Sequence, residues 1–261
     1  MCDSSCPEFF LKSCLTKLVM ELNDLYQLLS ISYNRIDPHH ETWMLWLKKK
    51  SEEELFEVAI GTILVQNTNW LNVDLAISNL FKHNITSFKR LKAVKCAQLE
   101  VLIRPAGFYK QKARSLYSLA EIFLDYSKGS KTPSRNALLR IKGVGKETAD
   151  SLRVYCFYDA VPIVGTYTRR LFARMFGKVN YLKEKYENIQ EIISNSLDQD
   201  YYVLGKFHAL IVSHCQQFCQ KILPLCEQCP LESQCIYGQY HQTQPELIQI
   251  QNTINKPKSV K

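Results

Sequence analysis

Cys219, Cys226, Cys229 and Cys235 follow the spacing C-x6-C-x2-C-x5-C in "CQKILPLCEQCPLESQC", with Pro224 and Pro230 turning the chain between them. Four soft thiolates in so short a loop can hold a tetrahedral zinc ion or an iron–sulfur cluster, and thiolate chemistry alone does not choose. A second constellation lies in "SRNALLRIKGVGKETADSLRVY", where Gly143 and Gly145 interrupt a helical pattern that resumes at Lys146. Glycine lets backbone come close to a ligand, and amides at a helix start favour a phosphate oxygen. Such a turn can hold a nucleic-acid strand without reading its bases. The third is "TYTRRLFARM", in which Thr166 is the expected N-cap. Arg169, Arg170 and Arg174 make one face cationic, either solvated or on phosphate, and Leu171, Phe172 and Met175 make the other apolar.

The remaining cysteines and histidines carry less. Cys2, Cys6, Cys14, Cys96, Cys156 and Cys215 have no regular spacing and read as small buried or free thiols. His208 and His214, six residues apart, do not share a helical face and read as packing or hydrogen-bonding residues.

The elements that must position these residues are helices. Apolar residues recur at helical spacing in ten segments, from "CLTKLVMELNDLYQLL" through "YVLGKFHALIVSHCQQFC", and no run alternates as a strand would. Gly and Pro stop the helices at "RPAGFYK", "SKGSKTPS" and "LPLCEQCP". The fold class is all-α. From about Tyr240 the chain is polar and rich in Gln, Asn and Lys, which predicts a disordered tail over 240–261.

At 261 residues and 46% hydrophobic the chain can bury an ordinary core. Lys and Arg outnumber Asp and Glu by 33 to 25, a formal charge of +8 that suits a polyanionic partner without identifying one. "MCDSSCPEFFLKSC" lacks a basic segment followed by a long apolar run, and no stretch approaches the ~18 apolar residues of a membrane helix. The expectation is an intracellular protein, in a bacterial cytoplasm. Ten cysteines in a reducing compartment argue for a metal or cluster over disulfides.

The hairpin, the basic helix start about twenty residues later and the cysteine spacing together resemble the endonuclease III family of DNA glycosylases, from about Ser51 to Cys235. The resemblance implies a two-domain helix–hairpin–helix fold with DNA between the domains, and a C-terminal loop holding a [4Fe-4S] cluster rather than zinc. The implied division has helices of 1–50 packing with a cluster domain at 158–239, and a bundle at 51–157 that carries the hairpin. It also implies a monomer acting on damaged or mismatched duplex DNA.

Residue by residue, "ILVQNTNW" resembles the family segment whose glutamine fills the space left by an extruded nucleotide, which gives that role to Gln66, with Asn67 beside it on the DNA. "IRPAGFYKQKA" looks like the family loop beside the duplex, with Tyr109 to wedge or stack and Lys110 and Lys112 near phosphate. Gly143, Gly145 and Lys146 fall on the strand-gripping hairpin, and Arg170 on the basic helix. An enzyme of this kind must extrude its base, at a cost of a few kcal/mol that wedges and anchors offset. A carboxylate then supports the oxocarbenium character of the sugar, and a lysine, where present, attacks the sugar and cuts the strand.

The sequence departs from the family at both reactive positions. The lysine two residues after the second hairpin glycine is replaced by Glu147, and Lys146 is rotated from it by about 100° on the helix. That points to a monofunctional N-glycosylase without strand cleavage. The family's aspartate, twenty-two residues after Gly143, falls on Gly165, and Asp159 lies six residues too early. Three accounts stay open: loss of the acid at Gly165, natural or engineered; another carboxylate in its place, Glu147 foremost; or a shifted register. The alternatives to an enzyme are a DNA-lesion binder that does not excise and a zinc-stabilised helical interaction module.

Overall fold

The computed structural model describes residues 21–33, 46–127, 132–240 and 245–255. Cys2, Cys6 and Cys14 lie outside the described residues. All regular elements among the described residues are helical, as the apolar periodicity predicts, and no helix there is long and apolar enough to cross a membrane. The chain divides into two compact units. One comprises Met1–His40, Val164–Asp198 and Phe207–Lys261, the other Glu41–Ile163 and Gln199–Lys206.

The second unit contains α2 (Glu52–Leu64), α3 (Trp70–Lys82), α4 (Phe88–Ala93), α5 (Cys96–Leu102), α6 (Tyr109–Ser127), α7 (Arg135–Leu139) and α8 (Lys146–Phe157). Ser51 starts α2 through a reciprocal cap: the Glu54 amide donates to the Ser51 hydroxyl and the Ser51 amide donates to the Glu54 carboxylate. Asn69 caps α3 with its side chain alone, accepting from the Asn72 amide. The core is threaded by rings from four helices: Phe88 stacks on Phe123 with centroids 4.4 Å apart, Phe123 on Phe157 at 4.9 Å, and Phe56 meets Phe88 edge-on. Asp150 is fully buried on α8 and is held by both forks of Arg135 at 2.8 Å, so its charge is paired where desolvation would otherwise penalise it.

The first turns of α11 (Tyr201–Gln217) pack into this unit. A Cβ on Gly205 would stand 2.4 Å from Leu47 and 2.9 Å from Val154, so only glycine allows the approach that lets the Tyr155 hydroxyl donate to the Gly205 carbonyl.

The first unit contains α1 (Leu22–Tyr33), α9 (Thr166–Met175), α10 (Tyr186–Ser196), the rest of α11, the cysteine loop, α12 (Ile236–Tyr240) and α13 (Pro245–Asn255). The polar tail expected over 240–261 is therefore corrected for 245–255. Leu247 and Ile250 of α13 are buried against Ala173 and Tyr237, because they recur on one helical face that the surrounding Gln and Asn residues obscure in composition.

Candidate nucleic-acid interface and cysteine loop

In the second unit, three separated segments are tied together by side chains. Gly143 turns the chain with φ +90°, in the left-handed region, and a Cβ there would meet Gln111 Nε2 at 2.7 Å. The Ser115 hydroxyl on α6 donates to the Lys142 carbonyl at 2.7 Å and fixes the turn from behind, while Val144 at its tip is buried. Gly145 is the N-cap of α8, exposed, with no side-chain cap and nothing within 4 Å of a would-be Cβ. The first amides of α8 thus have no intrahelical acceptor and carry the positive end of the helix dipole. Lys146 and Glu147 are exposed beside them.

Gln66 sits just past α2, and its amide donates to the hydroxyl of Thr148 on the third residue of α8, at 3.2 Å. Asn67 follows, exposed, at φ +54°. The segment after α2 and the glycine hairpin are therefore neighbours.

Lys112 is corrected. It is buried, and its ammonium donates to the Leu64 carbonyl at 2.8 Å and the Ala106 carbonyl at 2.7 Å. It ties the end of α2 to the loop before α6 instead of facing phosphate, and burial lowers its pKa from 10.5 to about 8. Lys110 is exposed.

Tyr109, expected as the wedge, packs on the core with the Arg104 guanidinium 5.9 Å from its ring centre. The exposed aromatic is its neighbour Phe108, 68% accessible and held at φ +45° directly after Gly107 at φ +69°. A large apolar side chain in that backbone region costs about 1–3 kcal/mol. The sequence signal was an apolar residue after Pro-Ala-Gly, but which of two adjacent aromatics faces outward depends on backbone sign.

In the first unit, Gly165 is the N-cap of α9 in place of Thr166. Its φ of −108° is ordinary for any residue, so the backbone does not demand glycine there. Its amide donates to the Thr168 hydroxyl at 3.3 Å, and no side chain caps the helix.

Arg170 is also corrected. Its guanidinium is buried and donates to the Cys219 carbonyl at 2.8 Å and the Cys215 carbonyl at 3.3 Å, so it secures the end of α11 rather than meeting phosphate. Arg174, 1% exposed, donates to the Gln220 carbonyl at 2.7 Å, the Lys221 carbonyl at 3.1 Å, Gln251 Oε1 on α13 and Cys219 Sγ at 3.1 Å.

Cys219, Cys226, Cys229 and Cys235 line one cavity, together with Arg174 and His214. Among the described residues, no three His, Cys, Asp or Glu side chains converge on the position of a single metal ion. The Cys215 thiol and the Arg174 guanidinium favour the Cys219 thiolate, whereas burial pushes Cys229 and Cys235 up to about 12. His214 is held neutral, lowered to about 4 by burial and then by Arg170.

An all-helical chain with a glycine hairpin between α7 and α8 belongs to the helix–hairpin–helix class. More narrowly, residues 60–198 match the HhH-GPD superfamily of base excision DNA repair proteins, and the chain belongs to that family, whose members are DNA glycosylases. A Methanocaldococcus jannaschii protein named as a candidate DNA repair glycosylase is 38% identical, over 76% of this chain and 90% of its own length. Endonuclease III of Thermotoga maritima is 29% identical, over 72% of this chain and 85% of its own. The solved structure of a trapped endonuclease III–DNA covalent intermediate superposes with a TM-score of 0.64 at 19% identity, covering 91% of this chain and all of that one, which attests the fold.

Proposed function

We propose that the protein is a base-excision N-glycosylase of the monofunctional type, acting on a damaged base in duplex DNA. The observation that carries this reading is the Gln66–Thr148 hydrogen bond, which joins the strand-gripping hairpin to a side chain suited to occupy a vacated base position. The N-terminal turn of α8 and exposed Lys146 and Lys110 hold phosphates. Phe108 enters the stack and offsets the cost of extruding the base. Strand cleavage is absent, because Glu147 stands where a sugar-attacking amine is needed. Glu147, in the first turn of α8, is the candidate acid.

A second reading is a lesion-binding protein that does not excise. Gly165 favours it, since no carboxylate is present at that helix start. A panel of single-lesion duplexes, scored for base release and for affinity, separates the two. Base release abolished by Glu147→Gln supports the enzyme with Glu147 as its acid. Tight lesion binding without release, converted to release by Gly165→Asp, supports the binder.

We read the cysteine loop as the ligand set of a [4Fe-4S] cluster held by Cys219, Cys226, Cys229 and Cys235. Four thiols lining one cavity supply the ligand set of such a cluster, and the buried Arg174 guanidinium offsets thiolate charge. When bound, the cluster supplies covalent ties that fix the loop and a one-electron centre. Iron and sulfide analysis of the purified protein, with its visible absorption, tests the assignment; zinc without sulfide overturns it.

A further inference from the structure

Outside the four cysteines, one buried polar chain runs into the same cavity. The Tyr33 hydroxyl on α1 lies 3.1 Å from His214 Nδ1, and His214 Nε2 lies 3.7 Å from Cys229 Sγ. Tyr33 and His214 are each 1% exposed, and their rings meet edge-on with centroids 6.1 Å apart. Phe218 closes another side of the imidazole at 6.0 Å. Tyr33 and His214 are thus buried polar groups whose hydrogen-bonding atoms need partners, and the structure supplies each to the other, with the Cys229 sulfur at the far end.

The proton count fixes the direction of the chain. A neutral imidazole has one N–H and one acceptor nitrogen. A free Cys229 thiol can donate to Nε2, which leaves the proton on Nδ1, facing the Tyr33 oxygen. A metal-ligating Cys229 has lost its proton and can only accept. The imidazole proton must then sit on Nε2, and Nδ1 must accept from the Tyr33 hydroxyl. Tyr33 satisfies both arrangements because a hydroxyl can turn between donating and accepting.

We propose that His214 is a tuning residue for the cluster, donating a hydrogen bond from Nε2 to the Cys229 sulfur, and that Tyr33 is the positioning residue that selects this tautomer. The inference rests on the cluster reading above. A donor aimed at a ligand sulfur stabilises the more negative, reduced state, so it raises the reduction potential; such hydrogen bonds are among the levers by which proteins set cluster potentials. The bond also gives α1 a link to the cysteine loop that no sequence spacing reveals.

The test is protein-film voltammetry on the whole chain with its native cluster, for wild type, Tyr33→Phe, His214→Leu and His214→Gln. The expected result is a shift to more negative potential in Tyr33→Phe and His214→Leu, with His214→Gln, which keeps an amide N–H near Nε2, closer to wild type. The Fe–S stretching bands in resonance Raman spectra should move on transfer to D2O in the wild type and stay fixed in His214→Leu. Should His214→Leu fail to fold, Tyr33→Phe removes only one oxygen and reads the same effect. Unshifted potentials in loaded variants overturn this inference and leave the cluster reading standing. A wild-type protein without iron and sulfide overturns the cluster reading, and this inference with it.

Discussion

The side-chain amide of Gln66 donates to the hydroxyl of Thr148 at 3.2 Å, across 82 positions of the chain. The bond aims a residue that follows one helix at the first turn of another, beside the glycine hairpin. If Gln66 enters the duplex, it must leave Thr148 to do so, and the two residues act as a unit. Gln66→Ala should weaken binding to a duplex with an abasic-site analogue by about tenfold, the worth of one good hydrogen bond or filled gap. In a double-mutant cycle with Thr148→Val, measured by fluorescence anisotropy, the two effects should be non-additive.

Phe108 and Tyr109 are adjacent but are expected to behave oppositely. Phe108→Ala removes an exposed ring and should leave the urea midpoint of unfolding nearly unchanged while lowering affinity for lesion duplex. Tyr109→Ala removes a ring that packs on the core and should destabilise the protein by about 1–3 kcal/mol. Unfolding and binding curves measured on both variants check the split.

The Lys112 ammonium carries a charge that burial disfavours, with its pKa lowered from 10.5 to about 8. Below pH 8 both folded and unfolded chains hold the proton, and the folded state bears the full cost of the buried charge. Between pH 8 and 10.5 the unfolded chain binds more protons than the folded one, so this residue's contribution to stability rises with pH. Lys112→Met should flatten that rise in urea unfolding followed from pH 7 to 10. It should also lower stability at every pH in that range, by leaving the Leu64 and Ala106 carbonyls without their donor.

Arg174 ties three pieces of the first unit: α9, the start of the cysteine loop and α13. Arg174→Met keeps the length of the side chain and removes the donors to two carbonyls, to Gln251 and to Cys219 Sγ. Its cost should be about 3 kcal/mol or more. The thermal midpoint should fall, and the cysteine loop should become sensitive to protease, as limited proteolysis with mass mapping would read.

Binding to duplex should fall steeply with salt, and Lys146→Ala should reduce the slope of log K against log salt by about 1. Fluorescence anisotropy across a salt series gives the slope directly.

The helices were legible because their apolar faces recur with the helical period, and the hairpin because Gly143 needs both φ +90° and space that Gln111 denies to a Cβ. The cysteine loop was legible in its spacing. The burial of Lys112 and Arg170 was not, because their partners are backbone carbonyls, which leave no trace in residue types. For the same reason the basic helix α9 looked like a phosphate-binding face while two of its arginines turn inward onto the cysteine loop. Helix α13 was hidden differently: its apolar residues keep helical spacing, but the Gln and Asn between them resemble an unfolded tail.

Neither unit is one continuous stretch of chain, and this has a consequence for synthesis. The unit that bears the hairpin has all its residues once Lys206 is made. The other includes α1 and is incomplete until α13 brings Gln251 to Arg174. A ribosome thus delivers the hairpin-bearing unit complete while α1, the earliest described helix to emerge, still waits for Phe207 and His214 of α11, so the nascent protein must hold an apolar helix short of these partners through most of translation.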